Sequence, residues 1–330
     1  MHIRARQVRG FVRRPSGTIC DLAAACALPL AAACAVAAIL AHGGRFSWRL
    51  DLLSHFAPLY LAGAILAALA SIRGQRQTRT AVLSLSAVAL VAGAALIAPE
   101  LLRSTGPPAP ANAPGQIKVI QFNVARSNRE LPRVVDWLVA QRPDIVTINE
   151  SSPAVRDAIV KRTGWHVSGG MGDLMIFSPQ KRLTMNRQGG YEMVVNWVNA
   201  TYPSASGPYE VMTAHLRWPN WPEIPLQERT LGVLTAYLPR DRMILTGDFN
   251  STPWSFIRQR DDSAFGLIRR DRAVATWPTW SPVAFLPIDH IYAGPGWATV
   301  KVVRGPNLGS DHYPLIVTLA PITRPSAAPR

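Results

Sequence analysis

Three runs in the first hundred residues constrain this chain more than anything else in it. Leu22–Ala41 is 20 residues without a charge, Leu52–Ile72 is 21 residues in which His55 is the one side chain that titrates near neutrality, and Ala81–Ala98 is 18 more. A helix needs about 20 apolar residues to cross the hydrocarbon core of a bilayer. Each run is therefore long enough to span. A core helix of a soluble protein is the alternative for any one run, but three in succession argue against it. A cleaved signal peptide is the alternative for the first, yet signal h-regions are only about 7–15 residues long. The expectation is an anchor over residues 1–103 with transmembrane helices at about 22–41, 52–72 and 81–98.

Loop charge gives an orientation. The amino-terminal tail carries Arg4, Arg6, Arg9, Arg13 and Arg14, and the loop after the second run carries Arg73, Arg76 and Arg79. The intervening loop has Arg45 and Arg49, partly offset by Asp51. Positive-inside bias puts the first two segments in the cytoplasm, and three crossings put everything after Ala98 outside it. The expected location is thus the inner (cell) membrane, multi-pass, with the large domain extracytoplasmic and periplasmic in a Gram-negative host.

The formal charge of +15 divides accordingly, +8 on residues 1–115 and +7 on the remainder. Half of the basic excess follows from topology and says nothing about a partner. Cys20, Cys26 and Cys34 all fall at or inside the first run. The downstream domain has no cysteine, which excludes a thiol nucleophile, a cysteine zinc site and any disulfide. Residues 104–115, STGPPAPANAPG, read as an extended Pro/Ala-rich linker.

Residues 116–330 alternate between strand and helix patterns. β-rich runs occur at Ile117–Phe122, Ile145–Asn149, Leu174–Phe177, Met193–Thr201, Tyr209–His215, Met243–Thr246, Ile288–Tyr292, Thr299–Val303 and Leu315–Leu319. Leu131, Val134, Val135, Leu138 and Val139 recur with helical spacing, and a second helix is expected across Leu226–Leu238. Many strands with few helices point to an α/β sandwich.

Polar residues of one chemical kind collect beside these strands: Asn123, Glu150, His215, Asp248 with Asn250, Asp289, and Asp311 with His312. Burying a carboxylate at a strand end is costly unless something compensates it, so the repetition predicts one convergent cluster. Carboxylates and amide oxygens without thiols suit a hard cation, Mg²⁺ or Mn²⁺. Histidines add groups that exchange protons near neutral pH. Together they describe metal-assisted hydrolysis of a phosphate ester.

In order, the pieces QFNV, PDIVTINE, TAHL, GDFNSTP, PIDHIY and GSDHYPLIV resemble those of the endonuclease/exonuclease/phosphatase superfamily, across Ile117–Ala320. The resemblance implies a four-layer α/β fold, two packed β-sheets flanked by helices, here preceded by three transmembrane helices, with the catalytic domain at 116–330. It implies Glu150 as the principal metal ligand, with Asn123 beside it and Asp311 close to the metal or its waters. His312 would be the general base, oriented by Asp289. Asp248 and Asn250 would position nucleophile and phosphate, with Asn123 also phosphate-facing, and His215 would face the phosphate. The chain departs from the family's RIDY motif, having Pro287 and Ile288 before Asp289. His290 reads as a surface residue turned away from the site.

Two readings stay open for Trp218, Trp221, Trp254, Trp277 and Trp280, which lie close to these motifs: a lipid-facing or base-stacking rim, or a cover for the sheet ends. The basic runs, Arg269–Arg272 among them, read as solvated faces. The expected function is a membrane-anchored, divalent-metal-dependent phosphodiesterase acting on nucleic acid or a phospholipid-type headgroup, with no protein partner implied. The competing reading is a non-catalytic phosphate- or lipid-binding module that keeps the fold.

Overall fold

The computed structural model describes residues 16–170, 173–189, 194–221 and 224–322. The tail arginines lie outside the described residues. The chain divides into two compact units, Met1–Leu40 with Ala57–Ala95, and Ala41–Phe56 with Leu96–Arg330.

The first unit draws on α1 (Ser16–Ala41), α3 (Ala57–Ala70) and α4 (Arg76–Leu102). Its helices meet through small side chains: Ala27, Ala31 and Ala67 with Val82, and Cys34, Ala35, Ala64 and Ala89. Such residues let backbones approach closely, as membrane helices require. Leu28, Val36, Ile39, Leu66, Leu69 and Val91 are left exposed, an apolar periphery compatible with a membrane anchor. Ala25–Arg45 and Arg76–Leu102 are long and apolar enough to cross a membrane. A third crossing arises if α2 (Trp48–Ser54) and α3 count as one span bent by 53°. The middle apolar run is thus no single straight helix: α2 ends at Ser54, α3 begins at Ala57, and the two are bent by 53°.

The second unit is an α/β sandwich. Its elements in order are β1 (Ile117–Asn123), α5 (Leu131–Gln141), β2 (Ile145–Asn149), α6 (Pro153–Thr163), β3 (His166–Gly169), β4 (Met175–Ser178), β5 (Thr184–Gly189), β6 (Asn196–Tyr202), β7 (Tyr209–His215), α7 (Ile224–Ala236), β8 (Met243–Asp248), α8 (Phe256–Ala264), β9 (Ile268–Arg269), β10 (Asp289–Ala293), β11 (Trp297–Arg304) and β12 (Leu315–Pro321). One sheet runs β11-β12-β1-β2-β4-β3 and the other β5-β6-β7-β8-β10-β9. Each holds one parallel pair, β1 with β2 and β7 with β8, crossed over by α5 and α7. Among the described strands, every other pairing is antiparallel.

Strand alternation sends one face of each sheet inward, where Val119, Ile145, Ile176, Val198, Val211, Ile244, Ile291 and Val317 form the central core. The outer face of the first sheet packs under α5 through Val134, Val135 and Leu138, and under α6 through Val155 and Ile159. The outer face of the second packs under α7 through Leu231. Four layers result, as expected.

Chain that reads as tether is folded into this unit. Ala109 N–H donates to Thr299 O and Thr299 N–H to Pro107 O, each at 2.8 Å, so the Pro-rich segment lies along β11. The prolines lack donors, but their carbonyls still accept. The basic run Arg269–Arg272 is likewise no solvated face. Arg269 forms a buried two-pronged pair with Glu100 at 2.7 and 3.0 Å, and Arg270 donates to Ala293 O and Gly294 O.

Candidate active site

Register brings the polar residues together. In the second sheet Asn196 lies opposite His215, His215 opposite Asp248, and Asp248 opposite Asp289. Directly paired residues share a face, so four strands present one polar row at one level. Asp289 opens its antiparallel strand instead of closing it. In the first sheet Asn123 pairs with Asn149, and Glu150 follows directly. Glu150 and Asn250 both have left-handed backbones, φ 53° and 48°, a conformation that costs a glutamate more than an asparagine.

His312 Nδ1 lies 2.8 Å from Asp289 Oδ2, and the pair is buried. The other ring nitrogen, Nε2, lies 3.6 Å from Asp248 Oδ2. Burial alone would push this imidazole down, but Asp289 and then Asp248 outweigh it and hold it up at about 10. Asp248 is pushed above the usual carboxylate range, first by burial and also by the Asp289 charge. The Asn123 amide links the two sheets, donating to Asp248 Oδ2 at 2.9 Å and to Glu150 Oε1 at 3.1 Å, while its oxygen accepts from Ala125 N–H. Asn250 N–H donates to Asp248 Oδ1 and its side-chain amide to Leu216 O, both at 2.8 Å.

His215 is held from a residue the motifs did not disclose. Its Nδ1 lies 3.2 Å from Asp173 Oδ2. Asp173 also accepts from Asn196 Nδ2 and pairs with Arg126 at 3.2 Å. Burial pushes His215 down, but the Asp173 hydrogen bond and the Asp248 charge leave it above its ordinary value. Asp173 precedes β4 in a glycine-rich stretch, GGMGDLM, with no strand-end signature; its one sequence signal is an acid directly before an apolar run. A buried layer of Gln121, Thr147, Asn149 and Thr246 was also missed. Thr246 donates to Thr147 and Thr147 to Gln121, whose amide donates to Asn149 and, at 3.4 Å, to Asp289. It sets a hydrogen-bonded layer beside Asp289.

The row opens into a pocket of about 530 Å³ lined by Glu150, His215, Asp248, Asn250, Asp311 and His312, with a rim of Trp218, Trp221 and Trp277. Trp277 stands edge-on to both Trp218 and Trp280, and its Nε1–H donates to Asp311 Oδ2 at 3.2 Å. Asp311 is therefore an exposed rim residue. Trp254 departs from this group: it is buried and donates to Ser54 O at 2.9 Å. His290 is no surface residue either. It is fully buried, with Nδ1 2.8 Å from Asp271 Oδ2 and Nε2 3.0 Å from Ser251 O.

The donor set fits a hard divalent cation: carboxylate and amide oxygens with imidazole, and no thiolate. Asp248, Asp289 and His312 offer ligand atoms within 4.8 Å of one another. Asp248 is raised first by burial and then by the Asp289 charge, and a cation beside it would favour its ionised form. However, the His312 and Asp289 side chains already satisfy each other. Half-buried Glu150 also opens to the pocket beside Asn123.

Two packed mixed sheets with an acid–histidine cluster at one edge make the fold of the metal-dependent phosphoesterases and nucleases. The sequence matches the profile of the Endonuclease/Exonuclease/phosphatase family over residues 120–312, more than half of the chain, and the protein belongs to that family. Solved structures share the fold at low identity. A family protein from Bacteroides vulgatus is 14% identical with TM-score 0.54, over 63% of this chain and 99% of that one. One from Bacteroides thetaiotaomicron is 14% identical with TM-score 0.51, over 62% and 94%. Humanized D. rerio TDP2 is 18% identical with TM-score 0.50, over 62% and 98%. No curated relative matches the chain.

Proposed function

We propose that the protein is a membrane-anchored, divalent-metal-dependent phosphodiesterase whose catalytic unit stands outside the cytoplasm. The observation that carries the reading is the buried His312–Asp289 pair at 2.8 Å, set with Asp248, Asn250, His215 and Glu150 around one pocket. Glu150, with Asn123 beside it, would hold Mg²⁺ or Mn²⁺, and Asp311 would reach the cation through water. Bound there, a divalent cation supplies charge stabilisation to the phosphate oxygens and polarises the phosphorus centre.

The chain's own residues do the rest. His312 accepts the proton of the attacking water at Nε2, and Asp289 fixes the ring through Nδ1–H and stabilises the imidazolium that forms. Asp289, Asp248 and Asp311 are the carboxylates that raise His312, and a cation near them would lower it toward the range in which it acts as a base. Asp248 and Asn250 orient the water and phosphate, and His215 and the Asn123 amide donate to phosphate oxygens. The Trp218–Trp221–Trp277 rim would take the planar or apolar group adjoining the phosphate.

The test is hydrolysis by the full chain in detergent or nanodiscs, with Mg²⁺ or Mn²⁺, of bis(p-nitrophenyl) phosphate, single-stranded DNA, RNA and phospholipid vesicles. Chelator-sensitive turnover that Glu150→Ala and His312→Ala each reduce by at least about 10²-fold is expected. Turnover indifferent to chelator, or retained in both variants, overturns the reading. The preferred substrate arm names the class.

A further inference from the structure

The loop that carries Asn250 is held from two directions. On its amino-terminal side it continues β8, with Phe249 N–H bonded to Ile288 O at 2.9 Å. On its carboxyl-terminal side the partners come from Ala41–Phe56, the segment between α1 and α3, which belongs to the same compact unit as the catalytic sandwich. Thr252 N–H donates to His55 Nδ1 at 3.0 Å, and the Thr252 hydroxyl lies 2.9 Å from the same nitrogen. Trp254 Nε1–H donates to Ser54 O at 2.9 Å. The Asp51 carboxylate accepts Phe256 N–H and Ile257 N–H at 2.8 and 2.9 Å, capping the start of α8. Packing agrees, since a Cβ on Gly44 would fall 2.7 Å from the Phe256 ring and the Arg45 guanidinium sits over that ring at 5.4 Å.

These contacts are specific. A ring nitrogen that accepts a backbone N–H carries no proton of its own, so His55 is the neutral imidazole with hydrogen on Nε2. It is buried, and without it Thr252 N–H would be a buried donor with no partner, at a cost few folds tolerate. Two residues upstream stands Asn250, in a left-handed backbone that persists only when its surroundings over-determine it. The segment's own wall is shared with the site: Leu216 and Arg217 line the catalytic pocket and also a small crevice bounded by Trp48, Asp51 and His55. Segment 41–56 and the catalytic pocket thus share Leu216 and Arg217 as a common wall.

We propose that His55 is a positioning residue for hydrolysis: by accepting Thr252 N–H it fixes the 249–255 loop and with it Asn250, so that the segment 41–56 is a structural part of the active site and not only a link between membrane helices. The inference rests on the phosphodiesterase reading for its catalytic consequence and on geometry alone for the loop.

The experiment uses the full chain in nanodiscs with Mg²⁺ and bis(p-nitrophenyl) phosphate, comparing His55→Leu with His55→Asn. The amide oxygen of asparagine sits near the Nδ1 position and can accept the same N–H; leucine cannot. His55→Leu is expected to lower kcat by about 10- to 100-fold, the scale of a small misplacement of a catalytic group, with KM and the half-saturating Mg²⁺ concentration within about twofold. It is also expected to speed amide hydrogen exchange across 249–258. His55→Asn restores both toward the unaltered chain. Should His55→Leu yield no folded protein, Trp254→Phe, which removes the bond to Ser54 O, is read in the same way.

Unchanged exchange in the leucine variant overturns the proposal whatever the activity. Faster exchange with unchanged kcat overturns the catalytic role, and equal loss in the leucine and asparagine variants overturns the part given to Nδ1. Absence of Mg²⁺-dependent turnover in the unaltered chain instead sinks the phosphodiesterase reading, and the exchange arm still reports on the loop.

Discussion

At the residue scale, the site concentrates what a fold normally avoids. Glu150 adopts φ 53° at the end of a strand, where an ordinary glutamate loses about 1–2 kcal/mol relative to a right-handed or extended backbone. The conformation turns its carboxylate toward Asn123 and the pocket. Comparing Glu150→Gly with Glu150→Ala separates backbone from side chain, since both remove the carboxylate and only glycine relieves φ. Thermal or urea unfolding is expected to show the glycine variant more stable than the alanine variant by about 1 kcal/mol, with both inactive. Equal stabilities would mean that no strain is stored there.

His312 carries the second residue-level expectation. Burial lowers it, while Asp289 is the largest influence raising it to about 10. Asp289→Asn keeps an oxygen that can accept Nδ1–H yet removes the charge, so the imidazole pKa must fall. A base with a lower pKa is deprotonated at lower pH, so the acidic limb of the kcat/KM profile is expected to move to lower pH. The plateau falls by about 10²-fold as stabilisation of the imidazolium is lost. An unmoved limb would show that His312 is not the group being titrated.

At the element scale, the sequence was most legible where burial is two-sided. β1, β2, β7 and β8 appear as apolar runs because both faces are covered, and their starts agree with the expected ones. β3, β5 and β9 escaped notice for the opposite reason. They are edge strands, short and polar, as edges that avoid aggregation tend to be. The polar row was legible as strand-end residues, whereas Asp173 and the Gln121–Thr147–Thr246 layer follow from register between sheets that no local pattern encodes. Helix α6 showed little because its amphipathic stripe reduces to Val155 and Ile159.

Gly247, inside the GDFN motif, is another element-level requirement. Its φ is 154°, and a Cβ there would stand 2.0 Å from Ala214 O on the parallel neighbour. Gly247→Ala must therefore separate β7 from β8 where His215 and Asp248 are paired. Unfolding measurements are expected to give a loss of about 2–3 kcal/mol, with activity falling further than stability alone explains. A loss below about 0.5 kcal/mol would show the pair can slide apart freely.

At the scale of the whole molecule, the division into anchor, tether and enzyme read from composition gives way to a different partition. Segments 41–56 and 96–115 fold with the sandwich, through His55, Asp51 and the buried Glu100–Arg269 pair. Composition could not reveal this, because apolar runs announce membrane residence while the docking contacts are single polar residues between them. The partition also constrains topology. Residues 41–56 and 96–322 make one compact body and cannot be separated by a bilayer, so an even number of crossings must lie between them. Under the proposed anchoring, the chain would pass through the bent α2–α3 pair, counted as one span, and back through α4, with α1 supplying the crossing before. The Arg73–Arg79 loop would then face the other compartment, in keeping with its charge. In a chain whose native cysteines are replaced, Phe46→Cys and Asn307→Cys, both exposed, are expected to react with an impermeant maleimide from the outer face of intact spheroplasts. Gln75→Cys should react only after lysis. Labelling of Phe46→Cys and Gln75→Cys from the same side would contradict the pair of crossings, and with it the common compartment of anchor segment and catalytic unit.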